Sequence, residues 1–452
     1  MSGADTVEQA LALSRADGCI VIVSQSSTVD LRWAGNTLTT NGASRDRSVT
    51  VISVVGESVG VRSASVPDDL DGLVRASEQA ARDAGPAEDA GPLVEGGADA
   101  DFTRPAERTS TSVLSSLAAG LGDRFAAARA DGLRLYGYAT HDLTTTWLGS
   151  STGLRRRHTQ PRGYVELTGK GSAPGSSSWI GRHTRDWSDI EVPELDAELR
   201  RRLTWAERQI ALPAGRYEAI LPPTAVADLM IDAYWTASGR DAAEGRTVFS
   251  RPGGGTRVGD RLGPAGLSMS SDPHDPALGV RPFVVASGSS STTSVFDNGL
   301  GLAATDWIRD GELSALVQTR ASAHHTGSPV TPYVDNLVVD GGGTATTDEL
   351  VASTGRGLLL TCLWYIREVD AETLLLTGLT RDGVYLVEGG EVVGAVNNFR
   401  FNESPVDLLA RTTEVGRSVP TLPREWSDYF TWTRMPALRV PDFNMSSVSQ
   451  AS

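Results

Sequence analysis

Short apolar or alternating runs dominate the first 65 residues, and a helical spacing of apolar residues follows them. The runs predict four β-strands with Ser, Asn and Gly turns between them, including a turn over residues 35–44: CIVIVSQ (19–25), TVDLRWAG (28–35), SVTVISVVG (48–56) and SVGVRSASV (58–66). A short amphipathic helix is predicted over residues 5–16. A second is predicted within PDDLDGLVRASEQAARDAG, where Asp68 or Asp69 is the candidate N-cap and Gly85 the stop. Residues 1–85 are therefore predicted to form an N-terminal α/β module.

Residues 86–211 continue the mixture of helices and strands. The stretch over residues 85–106 is rich in Gly, Pro, Ala and acidic residues and predicts a linker or surface segment. A helix over residues 111–132 and strands over 133–142, 163–171 and 176–187 come next. A third helix, over residues 192–209, has acidic residues early and arginines late, as the helix dipole favours. We divide off this part as a central α/β region with an acidic linker at its start.

Strand patterns prevail after residue 212. PAGRYEAILPPTAVADLMIDAYWTA (213–237) predicts a strand, a turn and a helix, and Leu229, Met230, Ala233 and Tyr234 are expected to face a core. The remainder is predicted to be β-rich, including RPFVVASG (281–288) and ELSALVQTRASA (312–323), with one helix in ESPVDLLARTTEVG (403–416). Residues 212–452 are therefore a predicted β-rich C-terminal domain, and the fold class of the chain is α+β.

The charge of the chain limits its partners. The formal net charge is −15 over 452 residues, which argues against nucleic acid and against an anionic membrane, because both favour a basic surface. The start lacks a basic segment followed by an apolar one, and the longest apolar stretch, GLLLTCLWYI, is about half of a membrane span. A cytoplasmic location is predicted. Cys19 and Cys362 lie in apolar runs and are expected to be buried free thiols.

The order of the C-terminal segments resembles a known family. The segments that carry the resemblance are ILPPTAVADLM (220–230), VFDNGLGLAATDWIRDGEL (295–313), DNLVVDGGGTATTDELV (335–351), GLLLT (357–361), GVYLVEGGEVVGAVNNFRF (383–401) and PALRV (436–440). In this order they resemble the C-terminal domain of the TldD/PmbA family, the peptidase family of modulators of DNA gyrase. The N-terminal order of helix, CIVIV, LRWAGNTLTTNG and helix is similar too, so the resemblance covers nearly the whole chain.

The resemblance implies one of two kinds of subunit. TldD-type subunits carry a His-Glu-x-x-x-His zinc motif on a helix and a cysteine near the C-terminus, whereas PmbA (TldE) subunits share the fold without these ligands. Laid onto this chain, the first His falls on Ile231, the Glu on Asp232 and the second His on Thr236. Isoleucine has no donor atom, and a neutral hydroxyl is a poor ligand for zinc. Residues 431–452 contain no cysteine.

The sequence therefore predicts a degenerate active-site helix, with no catalytic residue and no metal ligand in this chain. The resemblance implies a PmbA/TldE-like subunit of a cytoplasmic zinc metallopeptidase complex that processes or degrades small unfolded peptides. Its expected partners are a TldD-type catalytic subunit, which would hold the zinc, and the peptide substrate. One alternative is a homodimeric peptide-binding or scaffold protein without peptidase activity. Another is a relocated metal site that combines Asp232 with His274, His324 or His325.

Three further patterns have simpler explanations. His324 and His325 are adjacent in ASAHHTG, and in a strand they would point to opposite faces. His274 lies in DPHDP, which is typical of a turn. The basic cluster Arg155 to His158 with Arg162 is predicted to be a solvated hairpin end, with the docking of an acidic surface as the alternative.

Overall fold

The structure is a computed structural model that describes residues 1–65, 69–172 and 175–449. Its described part contains three β-sheets and a set of mostly short helices. The α-helices are α1 Gly3–Leu13, α2 Leu70–Asp83, α3 Ser115–Ala130, α4 Val192–Trp205, α5 Pro223–Trp235, α6 Gly239–Ala243, α7 Arg320–Thr326, α8 Thr347–Ala352 and α9 Pro405–Arg411. Single 3₁₀ turns occur at Thr111–Leu114 and Val295–Asp297. No helix in the described part is long and apolar enough to cross a membrane. The mixed α+β class predicted above is confirmed.

The first sheet is antiparallel and has the order β3-β2-β1-β4-β5-β6. Its strands are β1 Gly18–Trp33, β2 Leu38–Val55, β3 Ser58–Ala64, β4 Arg134–Ser150, β5 Arg155–Lys170 and β6 Ser177–Thr184. Strands from residues 1–85 and from residues 86–211 thus belong to one sheet. The boundary predicted near residue 85 divides the chain within that sheet, and the division into domains stays a prediction.

Helices cover one face of the first sheet. Val21 and Val23 of β1 pack with α1 and α2, and Leu31 and Trp33, of the same parity, pack with α3 and α4 further along the strand. Ile20, of the opposite parity, packs on the other face against a segment of the C-terminal half that includes Phe283 and Phe296. The sheet is therefore buried on both faces along part of its length.

Two sheets form the β-rich C-terminal half. One has the order β11-β10-β9-β12-β21-β20 and consists of β9 Ser268–Ser271, β10 Thr305–Arg309, β11 Glu312–Leu313, β12 Asn336–Asp340, β20 Val419–Thr421 and β21 Trp432–Met435. The other has the order β14-β15-β18-β22-β8-β13-β16-β17-β7, with β19 paired to β22. Its strands are β7 Gln209–Ile210, β8 Gly215–Leu221, β13 Arg356–Leu360, β14 Leu363–Asp370, β15 Leu375–Thr380, β16 Val384–Glu388, β17 Glu391–Val396, β18 Phe399–Glu403, β19 Glu414–Val415 and β22 Leu438–Val448.

Several local predictions are wrong, each for a physical reason. The turn predicted over residues 35–44 is mostly strand, because the outer half of β2 is exposed and carries no apolar alternation. Residues 281–288 form no named strand. Their apolar side chains, including Phe283, pack on a face of the first sheet instead of extending a sheet. The strand predicted over residues 312–323 shrinks to β11 and is followed by α7, which Thr319 starts with a capping box to Ser322. One helix is predicted after α5, but the structure has three more there, α6, α7 and α8. They are too short to show a helical period of apolar residues in the sequence.

Other sequence predictions are confirmed. Asp69 caps α2 through the N–H of Gly72 at 2.7 Å, while the alternative Asp68 lies outside the described residues. Both cysteines are buried and free. The segment over residues 85–106 is mostly exposed, as predicted for a surface segment, and the buried Phe102 attaches it to α1 and the first sheet.

The basic cluster at the start of β5 is neutralised within the chain. Arg155 pairs with Glu8 at 2.6 Å and Arg156 with Asp99 at 2.8 Å. The side chain of Arg157 is only 3% exposed and pairs with Asp101 at 3.0 Å. The sequence predicts a solvated hairpin end, but these arginines are paired, and two of the three acids, Asp99 and Asp101, come from the segment over residues 85–106.

Candidate functional site

Helix α5 crosses the core between the two C-terminal sheets. It starts after β8 at Pro222, an extended N-cap residue, and Pro223 occupies its first turn, where a missing N–H costs nothing. The helix packs against β8 on one side and against β20 and β21 on the other. The core contacts predicted from the sequence, Leu229, Met230, Ala233 and Tyr234, are at most 2% exposed. A helix that is buried nearly all round is positioned rigidly by its neighbours.

Two of the three positions aligned with the zinc motif present no free donor atom. Ile231 is fully buried within a cluster of hydrocarbon side chains. Thr236 is the C-cap of α5, and its hydroxyl donates to the carbonyl oxygen of Asp232 at 2.7 Å. The helix end therefore uses this hydroxyl to satisfy one of its own carbonyl groups.

The third position, Asp232, is covered by an indole ring. The Nε1–H of Trp426 donates to Asp232 Oδ2 at 3.2 Å and to the carbonyl oxygen of Asp228 at 3.0 Å. The Trp426 ring meets Trp235 edge-on, with ring centroids 4.9 Å apart. The carboxylate that aligns with the general base of the motif is thus partly buried and already bound.

Sequence reasoning missed a second acid on α5. Asp228 lies one turn before Asp232 and is fully buried. Its Oδ1 accepts the backbone N–H of Glu425 at 2.8 Å, and its Oδ2 has no partner among the described residues. Burial raises the pKa of Asp228 well above its usual value, so the neutral form is favoured. The spacing of four residues was the available signal, but it does not show what the acid faces.

The loop over residues 422–430 is clamped over this part of α5 through Glu425. The Glu425 carboxylate accepts the backbone N–H groups of Tyr365 at 2.9 Å and Ile366 at 3.1 Å, and it pairs with Arg367 at 3.1 Å. The pairing of β14 with β15 shifts register between Trp364 and Arg367, so the sheet leaves these two N–H groups without a partner strand. The carboxylate takes the place of that strand.

The donor set around α5 does not fit a catalytic zinc ion. Within residues 1–65, 69–172 and 175–449, no three His, Cys, Asp or Glu side chains are grouped so as to hold a metal. His274 is exposed in its loop, and its backbone N–H donates to the carboxylate of Asp272. His324 and His325 are exposed on α7, so the expectation that they lie on a strand is wrong. The relocated site that combines these histidines with Asp232 is not assembled in the described part.

A cleft of about 510 Å³ adjoins the clamped loop. It separates the ends of β1, β4 and β5 from β14 and from the loop. Aromatic side chains line it on both sides, together with the carboxylates of Glu166, Glu425 and Asp428; the aromatic residues are Trp33, Tyr138, Tyr164 and Trp364. Tyr164 donates its hydroxyl to Asp428 at 2.7 Å, which ties β5 to the loop. The cleft thus joins the first sheet to the neighbourhood of Asp232.

Comparisons with known proteins agree with this geometry. Residues 214–447 match the model described as the PmbA/TldA metallopeptidase C-terminal domain, and residues 19–84 match the model of domain 1 of the same family. The chain belongs to the TldD/PmbA metallopeptidase family. A search of curated proteins finds no match.

Solved structures share the fold of this family member. TldE from Thermococcus kodakarensis superimposes with a TM-score of 0.79 at 14% identity, over 97% of this chain and 98% of that one. A candidate modulator of a DNA gyrase from Thermotoga maritima gives 0.78 at 15%, over 97% and 99%. A similar protein from Bacteroides thetaiotaomicron gives 0.77 at 14%, over 98% of each chain. The α+β arrangement is thus shared across nearly the full length.

Asp232 of α5 is expected to make the stability of this family member depend on pH. Burial raises the pKa of Asp232 to about 7; the Trp426 hydrogen bond lowers it, Glu425 and Glu368 raise it and Arg367 lowers it. Because an unfolded aspartate titrates near 3.9, roughly, the folded state binds this proton more tightly. The resulting stability is fully present below about pH 4 and is lost as the pH rises through the folded-state value.

Asp232→Asn is therefore expected to gain stability relative to wild type between about pH 5 and about pH 8. The expected gain in unfolding free energy is at least about 1 kcal/mol, since the amide keeps the shape and carries no charge at the higher pH. Urea unfolding at the two pH values measures it. Glu372→Gln, which removes an exposed acid, is the control. If the pH profiles of wild type and Asp232→Asn run parallel, Asp232 does not carry this dependence.

Proposed function

We propose that this chain is a non-catalytic PmbA/TldE-like subunit, which acts with a TldD-type catalytic subunit in a zinc metallopeptidase that processes or degrades small unfolded peptides. The proposal rests on the surroundings of the three residues that align with the zinc motif. Ile231 is packed among apolar side chains, and the Thr236 hydroxyl donates to a backbone carbonyl oxygen. The Asp232 carboxylate accepts a hydrogen bond from Trp426. Zinc requires about three nitrogen, sulfur or carboxylate ligands with an open position for water. We therefore assign no chemical step to this chain, and the metal, its water and the general base belong to the partner.

The cleft beside the clamped loop supports a role in holding peptide. Partly exposed aromatic rings such as those of Tyr138 and Trp364 suit side chains of many kinds, since their contacts are largely apolar. Carboxylates such as Asp428 suit the amide N–H groups or the amino terminus of a peptide. A non-catalytic subunit that lines the substrate chamber needs this combination of low side-chain selectivity and polar anchoring.

The zinc content of the purified chain, measured by elemental mass spectrometry alone and after co-expression with its nearest TldD-type relative, tests the proposal. We expect almost no zinc in the lone chain and about one zinc per pair in the complex, because only the partner offers a ligand set. Chelator-sensitive peptide hydrolysis is expected only from the complex.

Other results would contradict the proposal in distinct ways. Stoichiometric zinc or chelator-sensitive hydrolysis in the lone chain would show that it is itself the enzyme. Failure to co-purify with any TldD-type relative, together with peptide binding by a homodimer, would favour the alternative of a peptide-binding protein without peptidase activity.

A further inference from the structure

A second cavity, of about 400 Å³, lies at the opposite end of α5 from the degenerate motif. It is enclosed by β6 and α4 of the N-terminal half and by the starts of α5 and α8 and the segment leading into β20. Pro222 and Pro420 form part of its walls and Leu359 part of its base. It shares no lining residue with the cleft beside the clamped loop.

Four guanidinium groups converge on this cavity from three separate parts of the chain. They belong to Arg182 of β6, Arg201 and Arg202 of α4, and Arg417 before β20. Only two carboxylates line the same cavity, those of Glu198 and Asp348. The lining therefore carries four positive and two negative charges, a balance of +2, in a chain whose net charge is −15.

The carboxylates are already engaged by three of the arginines. Glu198 pairs with Arg182 at 2.5 Å and also with Arg202. Asp348 pairs with Arg201 at 2.7 Å. These pairs fix the orientation of the guanidinium groups and leave N–H donors over, because each guanidinium has five.

The fourth arginine has no such partner. Among the described residues, the side chain of Arg417 makes no ion pair or hydrogen bond, and only its backbone N–H is bound, to the carbonyl oxygen of Ala345 at 2.7 Å. Arg417 interacts electrostatically with Glu349, which lies outside the lining and accepts the N–H of Thr346 at 2.7 Å. Arg417, an exposed residue, thus supplies a charge without an ion-pair partner to a cavity lined by three paired guanidinium groups.

We propose that this cavity binds an oxyanion, the carboxylate or phosphate group of a small ligand. Guanidinium groups match both anions with paired hydrogen bonds, which explains the use of arginine at all four positions. The positive end of the 13-residue helix α5 begins at the same cavity and adds to the attraction. The site does not depend on the role proposed above, since none of its residues belongs to the motif and Leu422, at the start of the clamped loop, contributes no charge to it.

Calorimetric titration of the full-length chain tests the site with two anions. The probes are inorganic phosphate and N-acetyl-trialanine with a free C-terminal carboxylate; the same peptide with an amidated C-terminus is the comparison. Phosphate binding alone identifies a phosphate-type ligand, whereas binding of the acid peptide but not of the amide identifies a carboxylate. Arg417→Gln is expected to lower the affinity for the anion at least about tenfold, because it removes a charge-assisted hydrogen bond.

The variant is chosen so that folding stays intact, because the Arg417 side chain has no partner to lose. Arg309→Gln, on a side chain that is 71% exposed and does not line the cavity, is expected to bind as wild type does. The proposal is overturned if neither anion binds at millimolar concentration. It is equally overturned if acid and amide peptides bind alike without phosphate binding, or if Arg417→Gln binds with unchanged affinity.

Discussion

Ile231→His, which restores the first residue of the zinc motif, is expected to lower the free energy of unfolding by about 3–5 kcal/mol. Ile231 is fully buried, and the cluster around it contains Leu229, Met230 and other hydrocarbon side chains. An imidazole there loses its hydrogen bonds to water and gains no partner. Its flat ring also fails to fill the space of a branched side chain. Urea unfolding followed by tryptophan fluorescence measures the loss.

The matched control for this prediction is Ile231→Val, which removes one methyl group and keeps the site apolar. It is expected to cost only about 1 kcal/mol. A histidine variant that is as stable as the valine variant would mean that position 231 tolerates a polar group. Its assignment to the hydrophobic core would then be wrong, and the zinc motif could be rebuilt on this helix at little cost.

Glu425→Ala is expected to destabilise the protein by about 2–4 kcal/mol and to release the loop over residues 422–430. The carboxylate is the acceptor for the N–H groups of Tyr365 and Ile366 at the irregular part of β14, and its side chain is only 7% exposed. Alanine removes the acceptor of both N–H groups, and that of Ile366 lies in a partly buried place where water replaces it poorly. Because the same loop carries Trp426, the cover over Asp232 is expected to open as well.

Two measurements distinguish the local from the global effect. Urea unfolding reports the loss of stability, and limited trypsin digestion at Arg424 reports opening of the loop under native conditions. Glu425→Gln keeps one acceptor oxygen and is expected to lose about half as much stability. Arg367→Gln is expected to cost at most about 1 kcal/mol, because its side chain is 53% exposed and its ion pair is screened by water. Equal losses in all three variants would contradict the assigned role of the carboxylate.

The two expected losses of stability, in Ile231→His and in Glu425→Ala, both concern the packing around α5, the helix that aligns with the zinc motif. In this family member the end of α5 is stabilised from outside by the loop, through Trp426 and Glu425, and from within by Ile231. An open metal site needs room for a water molecule and for a substrate atom. Here the indole of Trp426 donates to two groups of the helix, the carbonyl oxygen of Asp228 and the carboxylate of Asp232. The proposed division of labour with a TldD-type partner is consistent with this packing.

The α+β class and the buried character of α5 could be predicted from the sequence because they depend on local residue patterns. The helical spacing of apolar residues in α5 is enough to predict that Leu229 and Tyr234 are buried, without knowledge of the elements that pack on them. Likewise, the inability of Ile231 to bind a metal follows from its lack of a donor atom, and no fold can change that. Elements of one or two turns, such as α7, escaped prediction because they are shorter than the period that reveals a helix.

The contacts that complete the site were decided by tertiary structure alone. Glu425 and Trp426 lie almost 200 residues after Asp228 and Asp232, in a loop whose local sequence indicates no partner. The four arginines of the second cavity likewise come from segments that are distant in the chain. The sequence by itself determined that Ile231 offers no ligand atom to a metal, because donor atoms belong to residue types. Only the folded chain decided what covers the helix and where charge accumulates, because packing joins residues that no local pattern connects.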